Sequence, residues 1–430
     1  MKQHVVAKLR LELPQGLEIP DWQTFIVDKS AAREQIAPEL DRLMRDASLP
    51  FWTTREYRPA GESWSPDERR LGLDRTYRLI LQEDHGLPPG LVERIRLVPL
   101  VEEVHAIQVR ESPLPEVATQ ASVLGNPAEL IQLSYAHALT RGRREVRVAV
   151  LDTGVDAGHA ELRGKVVEQA DFVDLQGLDT TDFIGDTRGY DAVAEDEVGH
   201  GTHVAGIVGA RGAAMDEGVA PGCSLVAVRV LATMRRGERL WGAGIVDNIN
   251  PGIKHAVDVC GADVINVSLG IKHVGGALPH ADVIRYALSR NVTVVAASGN
   301  DGTPERYYPG ALPGVCAVGA VTSTGEVADF SSYGANITCV APGMNVYSSF
   351  ASNTYAIASG TSQASPFVAG MVALMKSYAL EAGVPLSNSM VLDVLKRTSD
   401  KVDGRLRNER AGYGLINLAD GFKFLAHALN

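Results

Sequence analysis

The sequence predicts an α/β protein: a doubly wound, mostly parallel sheet preceded by a smaller α+β unit. Three observations predict it. VRVAVLDTG (146–154), SLVAVRVL (224–231), VINVSLG (264–270), VTVVAASGN (292–300) and VCAVGAV (315–321) are short, β-branched, nearly continuous apolar runs. Such runs suit strands buried on both faces. Helical stretches lie between them, at HVAGIVGA (203–210), GIKHAVDVCG (252–261) and ADVIRYALSRN (281–291), which is the alternation of a sheet wound with helices. The chain also carries 43 glycines, in keeping with a fold whose strand ends turn sharply.

Residues 1–112 read as a separate unit. HVVAKLRLEL alternates like a strand, and SAAREQIAPELDRLMRDAS has helical spacing through Ile36, Leu40, Leu43 and Met44. FWTTREYRP and RTYRLILQED read as strands. PPGLVERIRLVP opens with prolines suited to a helix N-terminus, and EEVHAIQVRE closes as a strand. The order βαββαβ is that of a ferredoxin-like sandwich. SPLPEVATQASVLGNP holds three prolines and few large apolar residues, so residues 113–126 read as a linker. The larger α/β unit occupies residues 127–430.

Composition excludes some functions. A net charge of −11 argues against nucleic acid as a partner, because phosphate contacts need a basic surface. It also argues against anionic membranes, and no apolar run approaches the length of a membrane span. The start, MKQHVVAKLRLELPQ, has no continuous apolar core of a signal peptide, so a cytoplasmic location is expected unless a signal has been removed. Cys223, Cys260, Cys316 and Cys339 have no metal-ligand spacing. They read as buried thiols, with a Cys316–Cys339 bridge as the alternative.

Three segments carry chemistry: VAVLDTGVD (148–156), GHGTHVAG (199–206) and SGTSQASP (359–366). Asp152 follows a buried strand, where a carboxylate is costly unless hydrogen-bonded. An imidazole would satisfy it; the alternative is a turn cap. GHGTHVAG offers two histidines, His200 and His203, at a helix start. Ser362 falls in the first turn of an apolar helix, where N–H groups are unpaired and the dipole is positive. A helix cap is the alternative there, from Ser359 or Thr361. A serine hydroxyl needs a general base, and the base needs an acid to orient it. Asp, His and Ser in these settings meet that need.

The three segments, with VINVSLG, VVAASGN (294–300) and GYGLINLADG (412–421), resemble the subtilisin-like serine proteases, the subtilases, over residues 127–430. The resemblance implies a subtilisin-type sheet and a serine endopeptidase with Asp152, His200 and Ser362 as triad, acting on peptide or protein substrates. It selects His200 as base and leaves His203 as support; His159 reads as a packing or capping residue. It gives Asn300 as side-chain donor to the oxyanion. It gives Ser268, Leu269, Gly270, Ala297, Ser298 and Gly299 as the walls of the substrate cleft, which would take an extended peptide by strand addition.

Residues 1–112 resemble the family's propeptides, so the resemblance implies an intramolecular inhibitor and folding aid. An unrelated accessory domain is the alternative. No cofactor is required. Calcium is left open, with Glu161 as a candidate ligand, although IVGARGAAMDEGVAP (207–221) lacks the family's Asn-rich calcium loop. The chain departs from the family at Gln363, often Met, and at Ile271, often Gly. Tyr307 falls near the floor of the main specificity pocket. The stretch before His200 is acidic, with Asp179, Asp182, Asp186, Asp191, Glu195, Asp196 and Glu197 against Arg188. It reads as a solvated loop, a cation site or a surface for basic substrate residues.

Overall fold

The computed structural model describes residues 3–13, 18–83, 86–107, 109–118, 125–175, 181–187, 191–273 and 278–429. Asp179 and Arg188 of the acidic stretch, and residues 119–124 of the expected linker, lie outside the described residues.

The first unit runs β1 (His4–Leu9), α1 (Trp22–Val27), α2 (Pro38–Asp46), β2 (Phe51–Arg55), α3 (Pro66–Leu71), β3 (Thr76–Leu81), α4 (Leu91–Arg96) and β4 (Val101–Ala106). Its antiparallel sheet has the order β2-β3-β1-β4. α2 is shorter than its periodicity predicts. Pro38 sits in its first turn, where the missing N–H is harmless, and the segment before it is not α-helical. α3 lies in the β2–β3 connection, a segment to which the sequence assigned no element. Ser65 and Glu68 form a capping box there, and Gly72 closes it in the left-handed region.

The sheet's alternation explains how this unit sits. Val5, Ala7, Leu9, Tyr77, Leu79 and Leu81 face a core with Leu40, Met44, Leu91 and Ile95. The other face carries Lys8, Glu56 and Arg78, and it is buried against the second unit. Arg78 pairs with Glu56, and its guanidinium also donates to Asn248 Oδ1 (3.1 Å) and the Asp247 carbonyl (2.7 Å). Lys8 reaches Asp282 (2.8 Å), Lys254 reaches Glu68 (2.6 Å), and His105 reaches Asp247 (2.7 Å). Tyr57, Leu71 and Leu73 complete an apolar cluster whose other members belong to the second unit.

Beyond it come β5 (Val109–Pro113), β6 (Val117–Ala118), α5 (Pro127–Leu130), α6 (Leu133–Leu139), β7 (Arg147–Asp152), β8 (Val166–Asp171), β9 (Phe183–Ile184), α7 (His200–Gly209), β10 (Ser224–Arg229), β11 (Ala232–Arg236), β12 (Arg239–Ile245), α8 (Val246–Asp258), β13 (Val264–Val267), β14 (Ile271–Lys272), α9 (Ala281–Ser289), β15 (Thr293–Ala297), β16 (Tyr307–Tyr308), β17 (Cys316–Val321), β18 (Ile337–Pro342), β19 (Val346–Phe350), β20 (Thr354–Ala358), α10 (Thr361–Glu381), α11 (Asn388–Thr398) and α12 (Leu418–Leu429). Seven strands form a wholly parallel sheet of order β18-β17-β15-β13-β7-β10-β8. Both faces are buried. Val148 and Val150 of β7 join a core with α7 and α10, while Ala149 and Leu151 join one with α8 and α9. The strand order reverses between β7 and β13, and a crevice opens at such a reversal. All four cysteines are buried, unpaired thiols.

Candidate active site

The site is built at that reversal. Leu151 pairs with Val267, so Asp152 and Ser268 leave the sheet side by side. His200 attaches to the first and Ser362 to the second.

Asp152 is fully buried. Its Oδ1 accepts from His200 Nδ1 (2.6 Å) and from the Thr153 N–H (2.7 Å). A carboxylate only accepts, so Nδ1 carries the proton and Nε2 of the neutral ring is left as a base. No hydrogen-bond partner for His200 Nε2 occurs among the described residues. Burial alone would push the imidazole toward its neutral form. The Asp152 charge and hydrogen bond outweigh it and raise the pKa above the ordinary histidine value.

α7 is held to β7 by Gly201, a glycine expected to allow close approach, and by Thr153 and Asp196, to which sequence reasoning gave no such part. Gly201 lies against the Gly154 carbonyl, and any side chain there would collide with it. The Gly201 N–H donates to Thr153 Oγ1 (3.0 Å), which donates to Asp196 Oδ1 (3.0 Å). Asp196 also accepts from the N–H groups of Gly199 and Thr202 (2.8 Å each) and from Thr202 Oγ1 (2.6 Å). It therefore caps the helix that presents His200. An Asp just before a helix start was the available signal, but it was submerged in the acidic stretch.

Ser362 is the second residue of α10. Its Oγ donates to the Ser268 carbonyl (2.9 Å), and Ser268 Oγ donates back to the Ser362 carbonyl (3.0 Å). A bond from Ser362 to His200 is not made in this structure. Such bonds often tighten only when substrate binds. Asn300 lies three residues past β15. Its Oδ1 accepts from the Thr361 N–H (2.8 Å) and Thr361 Oγ1 (2.9 Å). That fixes the amide orientation and turns Nδ2 toward Gly360, the residue that precedes α10.

Ser268, Leu269, Gly270, Ala297, Gly299, Asn300, Tyr307 and Ser362 line a cleft of about 430 Å³. Ser298 is not among the residues bordering this cleft, and its Oγ donates to the Ser332 carbonyl (3.1 Å). The cleft is crossed by the chain itself. β5 pairs antiparallel with β12, the Leu114 N–H donates to the Leu240 carbonyl (3.0 Å), and β6 pairs with β20. Between those strands Leu114 and Pro115 border the cleft.

Comparison with known proteins settles the family. A model described as the subtilase family matches residues 143–414. The chain belongs to the subtilase family of serine endopeptidases. It is 38% identical over 285 residues to a thermophilic serine proteinase of Bacillus sp. (strain AK1), covering 66% of this chain and 63% of that protein. It is 34% identical over 331 residues to the major intracellular serine protease of Bacillus subtilis (strain 168), covering 75% and 93%. It is 35% identical over 260 residues to thermitase of Thermoactinomyces vulgaris, covering 60% and 82%.

Other residues of this subtilase follow from the same geometry. His203 Nε2 contacts the Val346 (3.1 Å) and Ala356 (3.2 Å) carbonyls, and burial next to His200 lowers its pKa to about 4. It is a neutral tie between α7 and the β19–β20 hairpin. His159 packs on Tyr355 and bonds the Thr354 carbonyl (2.8 Å). Gln363 is fully buried, and neither amide atom has a hydrogen-bond partner among the described residues.

The Glu161 carboxylate accepts from the N–H groups of Ala213 (2.8 Å), Ala214 (2.6 Å) and Met215 (3.2 Å) and from the Tyr355 hydroxyl (3.1 Å). Burial alone would raise its pKa, but these donors hold it below the usual value. A ring of donors does not fit a calcium ion, so Glu161 is a loop anchor. Among the described residues no group of three or more His, Cys, Asp or Glu could hold a metal. No helix among them is long and apolar enough to cross a membrane.

Proposed function

We propose that this chain hydrolyses internal peptide bonds with Asp152, His200, Ser362 and Asn300, and that residues 1–118 restrain it. The observation that carries the reading is the Asp152–His200 hydrogen bond beside the Ser268–Ser362 pair. Ser362 Oγ attacks the scissile carbonyl carbon, and its proton passes to His200 Nε2. Asp152 steadies the imidazolium, while Asn300 Nδ2 and the Ser362 N–H hold the oxyanion. The C–N bond breaks, and His200 returns the proton to the leaving amine. Water then repeats the sequence on the acyl-enzyme.

The restraint reading is supported by the path of residues 109–118, which are strand-paired at 109–113 and 117–118, on either side of the Leu114–Pro115 stretch that borders the same cleft as Ser362. It is supported too by the buried ion pairs that dock the first unit. An intracellular location is supported by the name of the Bacillus subtilis relative and by the four unpaired thiols.

A fluorophosphonate probe tests both parts on the full chain. It is expected to label Ser362 slowly, and at least about tenfold faster in Leu114→Pro, which loses the N–H bonded to Leu240. No labelling of Ser362 in either protein would overturn the protease reading. Equal rates in the two would overturn the restraint reading.

A further inference from the structure

We infer that Tyr307 permanently fills the recess for the side chain on the acyl side of the scissile bond, so that this enzyme cleaves after glycine, alanine and serine. The inference rests on the protease reading above.

The recess is located by the oxyanion donors. A carbonyl oxygen held by Asn300 Nδ2 and the Ser362 N–H places the adjoining side chain between the two backbone walls that end there, Ser268–Gly270 and Ala297–Gly299. The Tyr307 ring occupies that space. An ideal Cβ on Gly270 would lie 3.0 Å from Tyr307 Cβ and 3.3 Å from its Cδ1, and one on Gly299 would collide with the ring. Residue 299 must therefore be glycine because the tyrosine is there, and a side chain at 270 would be pressed tightly against it. Gly299 has φ +105°, which a larger residue rarely adopts.

The ring cannot swing aside cheaply. Lys272 pairs with Tyr307, and Ile271 with Tyr308, as antiparallel strands β14 and β16. This is the use of Ile271, the second departure from the family pattern. It extends one cleft wall into a strand that grips the recess floor. The Tyr307 hydroxyl donates to Asp301 Oδ2, which also receives the Lys272 ammonium (2.7 Å). The Lys272 ammonium stands 5.5 Å from the ring centroid. Tyr307 is only 8% exposed.

The chain's own segment in the cleft agrees. Leu114, a large apolar residue bordering the same cleft as Ser362, packs toward Gly242: its Cδ2 lies 3.3 Å from the Cβ position of Gly242. A side chain larger than serine would have to displace a hydrogen-bonded ring, and dense packing makes such displacement costly.

The test compares two chromogenic peptide amides that differ only in alanine or phenylalanine before the scissile bond. The enzyme is the full chain carrying Leu114→Pro. The alanine peptide is expected to have a kcat/KM at least about tenfold higher. Tyr307→Gly is expected to reverse the order, while Tyr307→Phe, which keeps the ring, is expected to preserve it. Fluorophosphonate labelling shows which variants are folded. If Tyr307→Gly fails to label, the ratio with Tyr307 intact decides alone. Labelling of Ser362 with equal or faster cleavage of the phenylalanine peptide while Tyr307 is intact would overturn this inference only. Absence of labelling in every protein would overturn the protease reading and this inference with it.

Discussion

Two buried carboxylates in this protein each hold an imidazole at nearly the same distance. Asp152 meets His200 at 2.6 Å, and Asp247 meets His105 at 2.7 Å. In both, burial pulls the histidine toward neutrality and the carboxylate more than compensates, so both pKa values are raised. The surroundings differ. His200 binds through Nδ1, is 6% exposed, and leaves Nε2 unbonded. His105 binds through Nε2, and its side chain is 43% exposed. Asp247 also lies under Arg78, which bonds its backbone carbonyl. The pair itself is thus not catalytic. Catalysis needs the second ring nitrogen free beside a nucleophile and oxyanion donors, whereas the other pair fastens one unit to another.

The largest expected effect separates the two histidines outright. With Leu114→Pro as background, His200→Ala is expected to lower kcat by about 10⁴–10⁶-fold, the range set by triad deletions in subtilisin. His105→Ala is expected to leave kcat unchanged. Equal losses in a peptide-hydrolysis assay would break the comparison.

Asp152→Asn is expected to lower kcat by about 10⁴-fold, as for the equivalent change in a related triad, and to move the pH profile. His200 must be neutral to accept a proton. Because Asp152 raises its pKa, activity should fall as pH drops through a value above the ordinary histidine range. Removing the charge should shift that limb to lower pH; an unmoved limb would assign the titration to another group.

Asn300→Ala comes next, at about 10²–10³-fold in kcat with little change in KM, a magnitude also taken from subtilisin. A change confined to KM would show that Asn300 binds substrate without serving the transition state.

The smallest effect belongs to the docking pair. His105 faces Asp247, Glu56 and Glu103. Its docked pKa is raised, so its contribution is fully present below the ordinary histidine value and is lost as pH rises through the raised one. His105→Gln should therefore speed labelling of Ser362 at low pH and flatten the pH dependence of that rate. The exposed ring limits the effect to about 1 kcal/mol, or roughly fivefold. Both imidazoles lose charge as pH rises: one then becomes a base, the other a weaker fastener.

The placement of Asp152, His200, Ser362 and Asn300 was legible because each sits at or just past a strand end or at a helix start that its neighbours specify. The parallel strands were legible from β-branched runs with no polar face. α3 was missed because six residues carry too little periodicity, although Ser65, Glu68 and Gly72 mark both its ends. Asp196 was missed because one cap among seven acids has no signature. Residues 109–111 were read as the end of one strand and residues 113–118 as the start of a linker; the structure has strands at 109–113 and 117–118. Their partners, β12 and β20, lie more than a hundred residues away, and local pattern cannot supply a distant sheet edge.

The sequence by itself determined the doubly wound sheet and the residues presented at its crevice, because both depend on short-range pattern: apolar runs, helix starts and the positions of Asp, His, Asn and Ser. Tertiary structure decided the rest. It turned Glu161 onto three backbone N–H groups, set Arg78 against Asp247 and Asn248, threaded Leu114 and Pro115 beside Ser362, and locked Tyr307 between Gly270 and Gly299. Each of these depends on desolvation and on hydrogen bonds between distant segments, and neither exists until the chain has closed on itself.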